Sequence, residues 1–318
     1  MNYNEVSGQV VLPRIGVQTK NVIEDTNPLD GFRKLKDAGF SCVDFSLNSY
    51  LLNTEPTGFF CSSLEELKDF FTPHKEAAEE TGIKIWQMHM PYALYIPQAE
   101  DDVNRYLWYE VASKSMELCA FLDCPYIVVH GFKLARQLGS EDAEWDKTKE
   151  FLDYLVPIAK RLGITICIEN LYAMIGNHIV EGPCCDVHKV TERIDAINAE
   201  YGAEVLGFCF DTGHANLVGL DMEFFITSLG SRLKVLHVHD NDGVRDLHQI
   251  PFTFTRTKTN KPATDWSGFV SGLQNINFEG VLSFETAPVL SSFPEEMKEE
   301  TLAFIASVGR YFAGQLKK

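Results

Sequence analysis

Basic residues are scarce in this sequence of 318 residues. It has 28 lysines and arginines against 45 aspartates and glutamates, so its formal net charge is −17 at pH 7. The average field of such an acidic protein repels the phosphates of duplex nucleic acid unless a local basic patch intervenes. The composition therefore argues against nucleic acid as a partner and leaves small polar substrates open.

Long apolar runs and regularly spaced cysteines are also missing. No segment approaches the roughly 20 apolar residues that cross a bilayer, and the polar, acidic N-terminal segment does not resemble a secretory signal. The eight cysteines form no CxxC pair, which favours free thiols in a reducing compartment. We therefore expect a cytoplasmic protein without a membrane partner.

Short β-rich segments alternate with longer segments of helical periodicity. Their apolar runs are nearly continuous, as in strands that are buried on both faces of a parallel sheet. The eight predicted strands are residues 14–19, 42–47, 84–90, 126–132, 164–170, 206–212, 233–240 and 280–286. Without a linker or a low-complexity tract, this pattern predicts a single (β/α)₈ TIM-barrel domain over residues 1–318. A doubly wound open sheet is the alternative, but its GxGxxG or GxxxxGK[ST] phosphate turn is missing from the sequence.

Potential metal ligands follow the apolar part of six successive predicted strands, from the third to the eighth. Reacting groups of TIM barrels lie at these strand ends. Each such residue alone is usually a hydrogen-bonded structural residue, but buried carboxylates without lysine or arginine beside them need a common partner. A divalent cation is the natural one. The candidates are His89, His130, Glu169, Asp211, His214, His237, Glu285 and, in the loop after the seventh strand, Asp246 and His248.

The seventh predicted strand ends in the segment LHVHD, which contains two histidines. His237 and His239 share one face of the strand because side chains alternate, whereas Val238 points to the other face. Both imidazoles can therefore face the barrel mouth at different depths. Alternation alone does not decide which one reaches a metal ion.

The motifs at the strand ends resemble those of the xylose isomerase-like TIM barrel superfamily. That group contains sugar isomerases, epimerases, inosose dehydratases and the family-two apurinic endonucleases. The resemblance covers nearly the whole barrel, and its specificity lies in the order of the motifs along the chain. The matching segments are HMPY, VVHGF, CIEN, FDTGHAN, LHVHDND, DLHQIP with DW downstream, and SFET.

The resemblance implies the ligands of one divalent metal ion. In the sugar-converting members, a glutamate, an aspartate, a histidine and a second glutamate hold the ion, and the matching positions are Glu169, Asp211, His237 and Glu285. The resemblance therefore selects His237 as the ligand and makes His239 a neighbour. Three carboxylates and one imidazole suit Mn²⁺, Mg²⁺ or Co²⁺, while recruitment of further histidines would favour Zn²⁺ or Fe²⁺.

Further residues match a second and a third metal position. The endonucleases of the superfamily hold three metal ions, and their additional ligands match five residues here. Many sugar-converting relatives keep several of these residues with a single ion, and we then expect them to bind substrate. The five residues are His89, His130, His214, Asp246 and His248.

The activity that the resemblance implies is isomerisation or epimerisation of a sugar, polyol or sugar acid through an enediolate. Glu169 and Glu285 are the expected catalytic bases, and His214 is expected to hold a substrate oxygen. Four aromatic residues are candidates for contact with the C–H faces of the sugar: Tyr92, Tyr95, Phe132 and Tyr172.

Three other functions remain open from the sequence. The nearest is an inosose-type dehydratase that uses the same enolate. The second is a multinuclear zinc apurinic endonuclease, which the negative charge disfavours. The third is a non-catalytic sugar-binding barrel, which would not need two glutamate bases. For every proposed function except the endonuclease, the expected partner is a small carbohydrate. The chain could also form a homo-oligomer.

The sequence departs from the superfamily pattern in two loops. Ketohexose epimerases carry an NRxE-like segment after the fifth strand, and ENLYAMIG has neither that arginine nor that glutamate, so the resemblance does not extend to that activity. The loop QIPFTFTRTKTNKPATDW carries Arg256, Lys258 and Lys261. A solvated hairpin is one interpretation, and the other is substrate binding by Arg256 and Lys258 through a phosphate or carboxylate.

Overall fold

Eight parallel strands form a barrel in the computed structural model, which describes residues 14–52, 54, 58–134, 140–256 and 261–317. Four shorter strands pair as two antiparallel hairpins outside it. In chain order the strands are β1 (Arg14–Gln18), β2 (Cys42–Ser46), β3 (Lys84–His89), β4 (Tyr126–His130), β5 (Thr165–Glu169), β6 (Tyr172–Ile175), β7 (His178–Glu181), β8 (Leu206–Asp211), β9 (Leu233–His237), β10 (Thr255–Arg256), β11 (Lys261–Pro262) and β12 (Val281–Phe284).

The barrel strands follow one another around a ring in the order β12-β1-β2-β3-β4-β5-β8-β9. The ring closes between β9 and β12 at the parallel bridge of Val238 and Phe284. There the Val238 amide donates to the Ser283 carbonyl at 2.8 Å, and the Glu285 amide donates to the Val238 carbonyl at 3.2 Å. The predicted TIM barrel and its eight strands are confirmed. A single domain over residues 1–318 stays a prediction, because residues 1–13 lie outside the described part.

Helices connect the strands and surround the barrel. A π-helical segment, Leu107–Ala112, continues α3 into α4. The helices are α1 (Pro28–Ala38), α2 (Leu64–Thr81), α3 (Asp101–Tyr106), α4 (Ser113–Phe121), α5 (Glu141–Leu162), α6 (Val187–Tyr201), α7 (Thr212–Val218), α8 (Met222–Leu229), α9 (Trp266–Asn275), α10 (Ala287–Ser292) and α11 (Lys298–Gln315).

Helix α2 illustrates how the local sequence sets the helix ends. Ser63 and Glu66 form a reciprocal capping box at its start, and each satisfies a backbone amide that has no partner within the helix. Gly82 ends the helix in the left-handed conformation, with φ of 74°, which costs little without a Cβ. Among the described helices, none is long and apolar enough to cross a membrane.

Small apolar side chains fill the barrel below its mouth. Val128, Cys167, Cys209 and Val235 form a buried cluster of their own, separate from the core between the strands and the helices. These residues belong to β4, β5, β8 and β9, so the residue two positions further along each strand faces the same interior one layer higher. All eight cysteines are free, and all except Cys61 are buried.

Candidate metal-binding active site

The layer above this apolar cluster consists of polar residues from the same four strands. They are the last residues of β4, β5, β8 and β9, and the first residue after β12 completes the group. Parallel strands place these ends at one mouth of the barrel. The residues are His130, Glu169, Asp211, His237 and Glu285.

Three of the four predicted metal ligands lie around a nitrogen atom of the fourth, His237. His237 Nδ1 is 3.2 Å from Glu169 Oε1, 3.6 Å from Glu285 Oε2 and 3.9 Å from Asp211 Oδ2. All four side chains are buried. The structure therefore brings the predicted set together, with the Nδ1 edge of His237 facing the three carboxylates.

The opposite edge of His237 contacts a carboxylate that lies deeper in the barrel. His237 Nε2 is 3.0 Å from Asp44 Oδ2, and the Gln87 side-chain amide donates to the same oxygen at 3.2 Å. Asp44 lies within β2 and is fully buried. The Nε2 atom makes no well-formed hydrogen bond with any described residue, so the contact is electrostatic: a carboxylate beside this nitrogen favours a proton there and leaves the other nitrogen for a metal ion.

A second group is formed by His89, His130 and Glu169. The two Nε2 atoms lie 3.8 Å and 3.1 Å from Glu169 Oε2. His89 Nδ1 lies 2.7 Å from the Met90 carbonyl and must donate to it, so the lone pair of His89 is on Nε2, which faces the carboxylate. This geometry suits metal ligation by both histidines.

A third group lies on the other side of the mouth. Asp246 Oδ2 is 3.4 Å from His214 Nε2 and 3.1 Å from His248 Nε2. His239 stacks on His248 with ring centroids 4.0 Å apart, and His239 Nε2 lies 2.9 Å from Asp211 Oδ2. The two histidines of the seventh predicted strand thus lie near the same oxygen of Asp211, and His239 links this aspartate to the third group.

Burial disfavours the charged forms of these groups, but their mutual attraction exceeds that cost at several of them. The neighbouring Glu285 and Asp246 raise the pKa of His248 to about 9. His237 and His248 lower the pKa of Glu285 to about 2. At His130 burial prevails over Glu169, and the pKa is lowered. Both Glu285 and His248 are therefore charged at neutral pH.

Two buried carboxylate oxygens at the barrel mouth are available as ligands of a cation. Asp246 Oδ1 and Glu169 Oε2 are buried and make no well-formed hydrogen bond to any described residue, although His130 lies close to Glu169. An unpaired buried carboxylate oxygen is costly, and a divalent ion would satisfy it. Three candidate ligand atoms within 4.8 Å of one another occur in the second group, at His89, His130 and Glu169, and in the third group, at His239, Asp246 and His248. The donor set of carboxylates and imidazoles fits a divalent metal ion.

A cavity of about 160 Å³ opens directly onto these residues. Besides the predicted histidines and carboxylates it is lined by Tyr92, Leu171, Tyr172 and Lys133. The Lys133 ammonium lies 5.1 Å from the centre of the Tyr172 ring. Lys133 is not among the predicted site residues, because it lies in the loop three residues after β4, where neither the strand pattern nor the family motifs identify it.

The predicted cationic contact from the long loop has a different position. Arg256 is exposed on β10 and lines, with Lys261 and Trp266, a separate cavity against α11. The β10–β11 hairpin carries Arg256 to that side, so the structure does not bring it to the cavity at the mouth. Lys258 lies outside the described residues.

The fold and the site together define a class of protein: a (β/α)₈ barrel with a carboxylate–histidine centre at the C-terminal ends of its strands. Residues 32–308 match the family described as Xylose isomerase-like TIM barrel. The chain belongs to this family.

Curated relatives of the chain include proteins of both branches of that family. It is 26% identical over 174 residues to the inosose isomerase of Bacillus velezensis, which is 54% of this chain and 56% of the relative. It is 26% identical over 189 residues to the probable endonuclease 4 of Natranaerobius thermophilus, which is 54% of this chain and 61% of the relative. The chain thus spans little more than half the length of these two relatives.

Solved structures with the same fold include sugar epimerases. The apo form of 3-keto-D-glucoside 4-epimerase from E. coli superposes with a TM-score of 0.64 at 17% identity, over 93% of this chain and 99% of that one. D-psicose 3-epimerase, solved in the presence of D-fructose, gives a TM-score of 0.64 at 16% identity, over 95% and 99% of the two chains. These likenesses establish the fold.

Proposed function

We propose that this protein is a divalent-metal-dependent isomerase or epimerase of a sugar, polyol or sugar acid. The observation that carries the proposal is the convergence of Glu169, Asp211 and Glu285 on His237 Nδ1 at the barrel mouth. The names of the inosose isomerase relative and of the epimerases with the same fold agree with it. Glu169 and Glu285 line a polar cavity of about 160 Å³ that can take part of a small carbohydrate.

The two glutamates are the proposed bases. They come from β5 and from the end of β12, which are three positions apart around the ring, and so approach the cavity from different walls. Gln18 donates to Glu285 Oε1 at 2.7 Å, which leaves the other oxygen facing the centre. Burial disfavours the charge on Glu169, but His237 and His130 outweigh it and hold its pKa well below the usual range. Both carboxylates are therefore ionised at neutral pH and able to accept a proton.

The proton transfer follows from this placement. One glutamate, as the ionised base, removes the proton from a carbon next to a carbonyl group. Either this glutamate returns the proton to the neighbouring carbon, or the other glutamate, after taking a proton from solvent, delivers it to the opposite face of the first carbon. Glu169, Asp211, His237 and Glu285 would hold a divalent ion, which supplies Lewis-acid stabilisation of negative charge on the substrate oxygens. His214 and Lys133 line the cavity and can donate hydrogen bonds to substrate hydroxyl groups.

A second candidate function is phosphodiester hydrolysis at abasic sites. The observation that favours it is the presence of all three histidine–carboxylate groups, together with the endonuclease relative. The formal net charge of −17 argues against it, because the average field of an acidic protein repels the phosphates of DNA. We therefore favour isomerisation or epimerisation of a sugar over the cleavage of abasic DNA.

The test is a metal determination followed by a screen in deuterated water. The purified protein, reconstituted with Mn²⁺, Co²⁺, Zn²⁺ or Mg²⁺, is incubated with a panel of aldoses, ketoses, inososes and keto-glycosides, and exchange is read by proton NMR. We expect loss of a carbon-bound proton next to a carbonyl group, with an isomer or epimer as the product. A product that has lost a water molecule relative to the substrate would instead identify a dehydratase. Cleavage of abasic DNA with strong salt dependence, and no exchange in any sugar, would contradict the proposal.

A further inference from the structure

A second cavity adjoins the one at the barrel mouth. We call the cavity of about 160 Å³ beside Glu169 and Glu285 the catalytic compartment. The neighbouring cavity of about 270 Å³ is the aromatic compartment, which Leu94, Tyr95 and Phe132 line. Both cavities share a boundary that consists of Tyr92, His130, Lys133 and Leu171. A ligand can therefore occupy both compartments at once.

The walls of the two compartments differ in chemistry. The catalytic compartment presents carboxylates and imidazoles, whereas aromatic and aliphatic side chains form most of the aromatic compartment. Tyr95 and Phe132 have ring centroids 5.3 Å apart, and Leu94 is buried beside them. Such surfaces accept the C–H faces of a sugar ring or the plane of an aromatic ring, and they offer little to a charged group.

Polar side chains stand at the boundary. Tyr92 is 57% exposed, and its ring stacks on the His130 ring with centroids 4.8 Å apart. Tyr92 therefore lies where the two compartments meet. Lys133 is the one lysine or arginine among the described residues that line either compartment. Lys133 lines both compartments, and its ammonium lies 5.1 Å from the centre of the Tyr172 ring, so it can donate to the oxygen atoms of a ligand that spans them.

The volumes indicate a ligand that is larger than one small sugar. Pockets for ligands of ordinary organic size hold about 300–1,000 Å³. The catalytic compartment, of about 160 Å³, lies below this range, and the adjoining 270 Å³ brings the combined space into it. A free monosaccharide would leave the larger, apolar part of the site without contacts.

We propose that the aromatic compartment binds the second ring of a glycoside whose sugar ring lies in the catalytic compartment. This inference rests on the proposed sugar chemistry. A glycosidic bond removes the free carbonyl at the anomeric carbon, and enediolate formation requires a carbonyl next to the carbon that loses its proton. The substrate class is therefore a glycoside with a ketone on its sugar ring, and the second ring is an aromatic aglycone or another sugar.

The test is equilibrium binding to the metal-loaded protein by calorimetry. The probes are methyl β-D-glucoside, phenyl β-D-glucoside and the disaccharide methyl β-cellobioside, together with methyl and phenyl β-D-galactoside. We expect a phenyl glycoside or the disaccharide to bind about tenfold tighter than its methyl partner, because an additional buried ring removes apolar surface from water. A larger gain in affinity for the phenyl glycoside would identify the second ring as aromatic. A larger gain for the disaccharide would identify it as a sugar.

Two variants test whether the second ring lies in the aromatic compartment, and a third variant is the control. Ala93 is exposed and lines the aromatic compartment, so Ala93→Phe fills the compartment without disturbing the core. It should abolish the preference for probes with a second ring, while Tyr95→Ala should weaken that preference. Phe304→Ala removes an exposed aromatic side chain on α11 and should change neither affinity.

The inference is overturned if no probe with a second ring binds tighter than its methyl partner, or if Ala93→Phe keeps the full preference. These outcomes are independent of catalysis. Deuterium exchange without any preference would contradict the aromatic compartment alone. A preference that Ala93→Phe abolishes, in a protein without exchange activity, would support the compartment and contradict the isomerase.

Discussion

Asp44 is the residue on which the orientation of the central histidine depends. It contacts His237 Nε2 at 3.0 Å from inside the barrel, while His237 Nδ1 faces the three carboxylates. Asp44→Asn keeps the size of the side chain but removes the charge that favours a proton on Nε2. We expect metal affinity to fall by about 10–100-fold, as for other partners of metal-binding histidines.

Competition with a chromophoric chelator measures this effect. Asp37→Asn is the matched control, because Asp37 is exposed on α1 and contacts no residue of the site. Both variants should keep the far-UV circular dichroism of the unaltered protein. Equal metal affinities for the two variants would show that Asp44 does not position His237.

Gly213 is a second residue on which the site depends. A Cβ at this position would lie 1.9 Å from His239 Cε1. Since His239 contacts Asp211 and stacks on His248, Gly213→Ala should displace the ring and disturb that aspartate. We expect destabilisation by about 1–3 kcal/mol, typical of overpacking, together with weaker metal binding.

Gly314→Ala is a control in the same kind of element. Both glycines lie in helices, α7 and α11, but a Cβ at Gly314 would have no neighbour within 4 Å. Alanine there should stabilise the protein by about 0.5–1 kcal/mol, because glycine loses more conformational freedom on folding. Urea denaturation of both variants measures the difference. A Gly213→Ala variant as stable as Gly314→Ala would mean that His239 is not confined as described.

At the scale of elements, the barrel was predictable because each strand is a short apolar run that ends in a polar residue. The same rule found the end residues of the strands, such as Glu169 and His237. It could not find Asp44, which lies within β2 between buried neighbours, or Lys133, which lies in a loop. The interpretation of Arg256 as a substrate contact comes from the charge of its loop and not from this rule, and the path of a loop depends on contacts that have no periodic signal.

Alternation within β9 shows a second limit of the sequence. It assigns His237 and His239 to one face, but depth in the barrel depends on strand register. The pairing of Asp211 with His237 across β8 and β9 sets that depth. Likewise no periodic pattern predicted the hairpin of β6 and β7, whose side chains are partly exposed.

At the scale of the whole molecule, the charges at the barrel mouth couple stability to pH and to metal. Burial opposes the imidazolium, but Glu285 and Asp246 raise the pKa of His248 to about 9, and the pKa of His214 is also raised. A histidine with a raised pKa contributes stability below the pKa of the unfolded chain, roughly 6.5, and loses it as pH rises through the folded-state value. The metal-free protein should therefore lose stability between about pH 6.5 and pH 9.

Metal binding should show the opposite dependence, because the histidines must release their protons to bind an ion. The difference in Tm between the metal-loaded and the EDTA-treated protein should therefore widen from pH 6.5 to pH 9. Differential scanning fluorimetry at constant ionic strength measures both curves. A difference that narrows with rising pH would contradict this account of the charges.

The roles of Glu169 and Glu285 bear most directly on the central claim, and one pair of variants tests them. Glu→Gln at either position keeps the size of the side chain and an oxygen for a metal ion but removes the base. With metal occupancy confirmed, proton exchange and turnover are measured for both variants in deuterated water on the substrate that the screen identifies. We predict that turnover falls by about 10²–10⁴-fold in each, and that exchange survives in one variant at most. Turnover near the unaltered rate in both metal-loaded variants would contradict the two-base mechanism and leave the glutamates as ligands only.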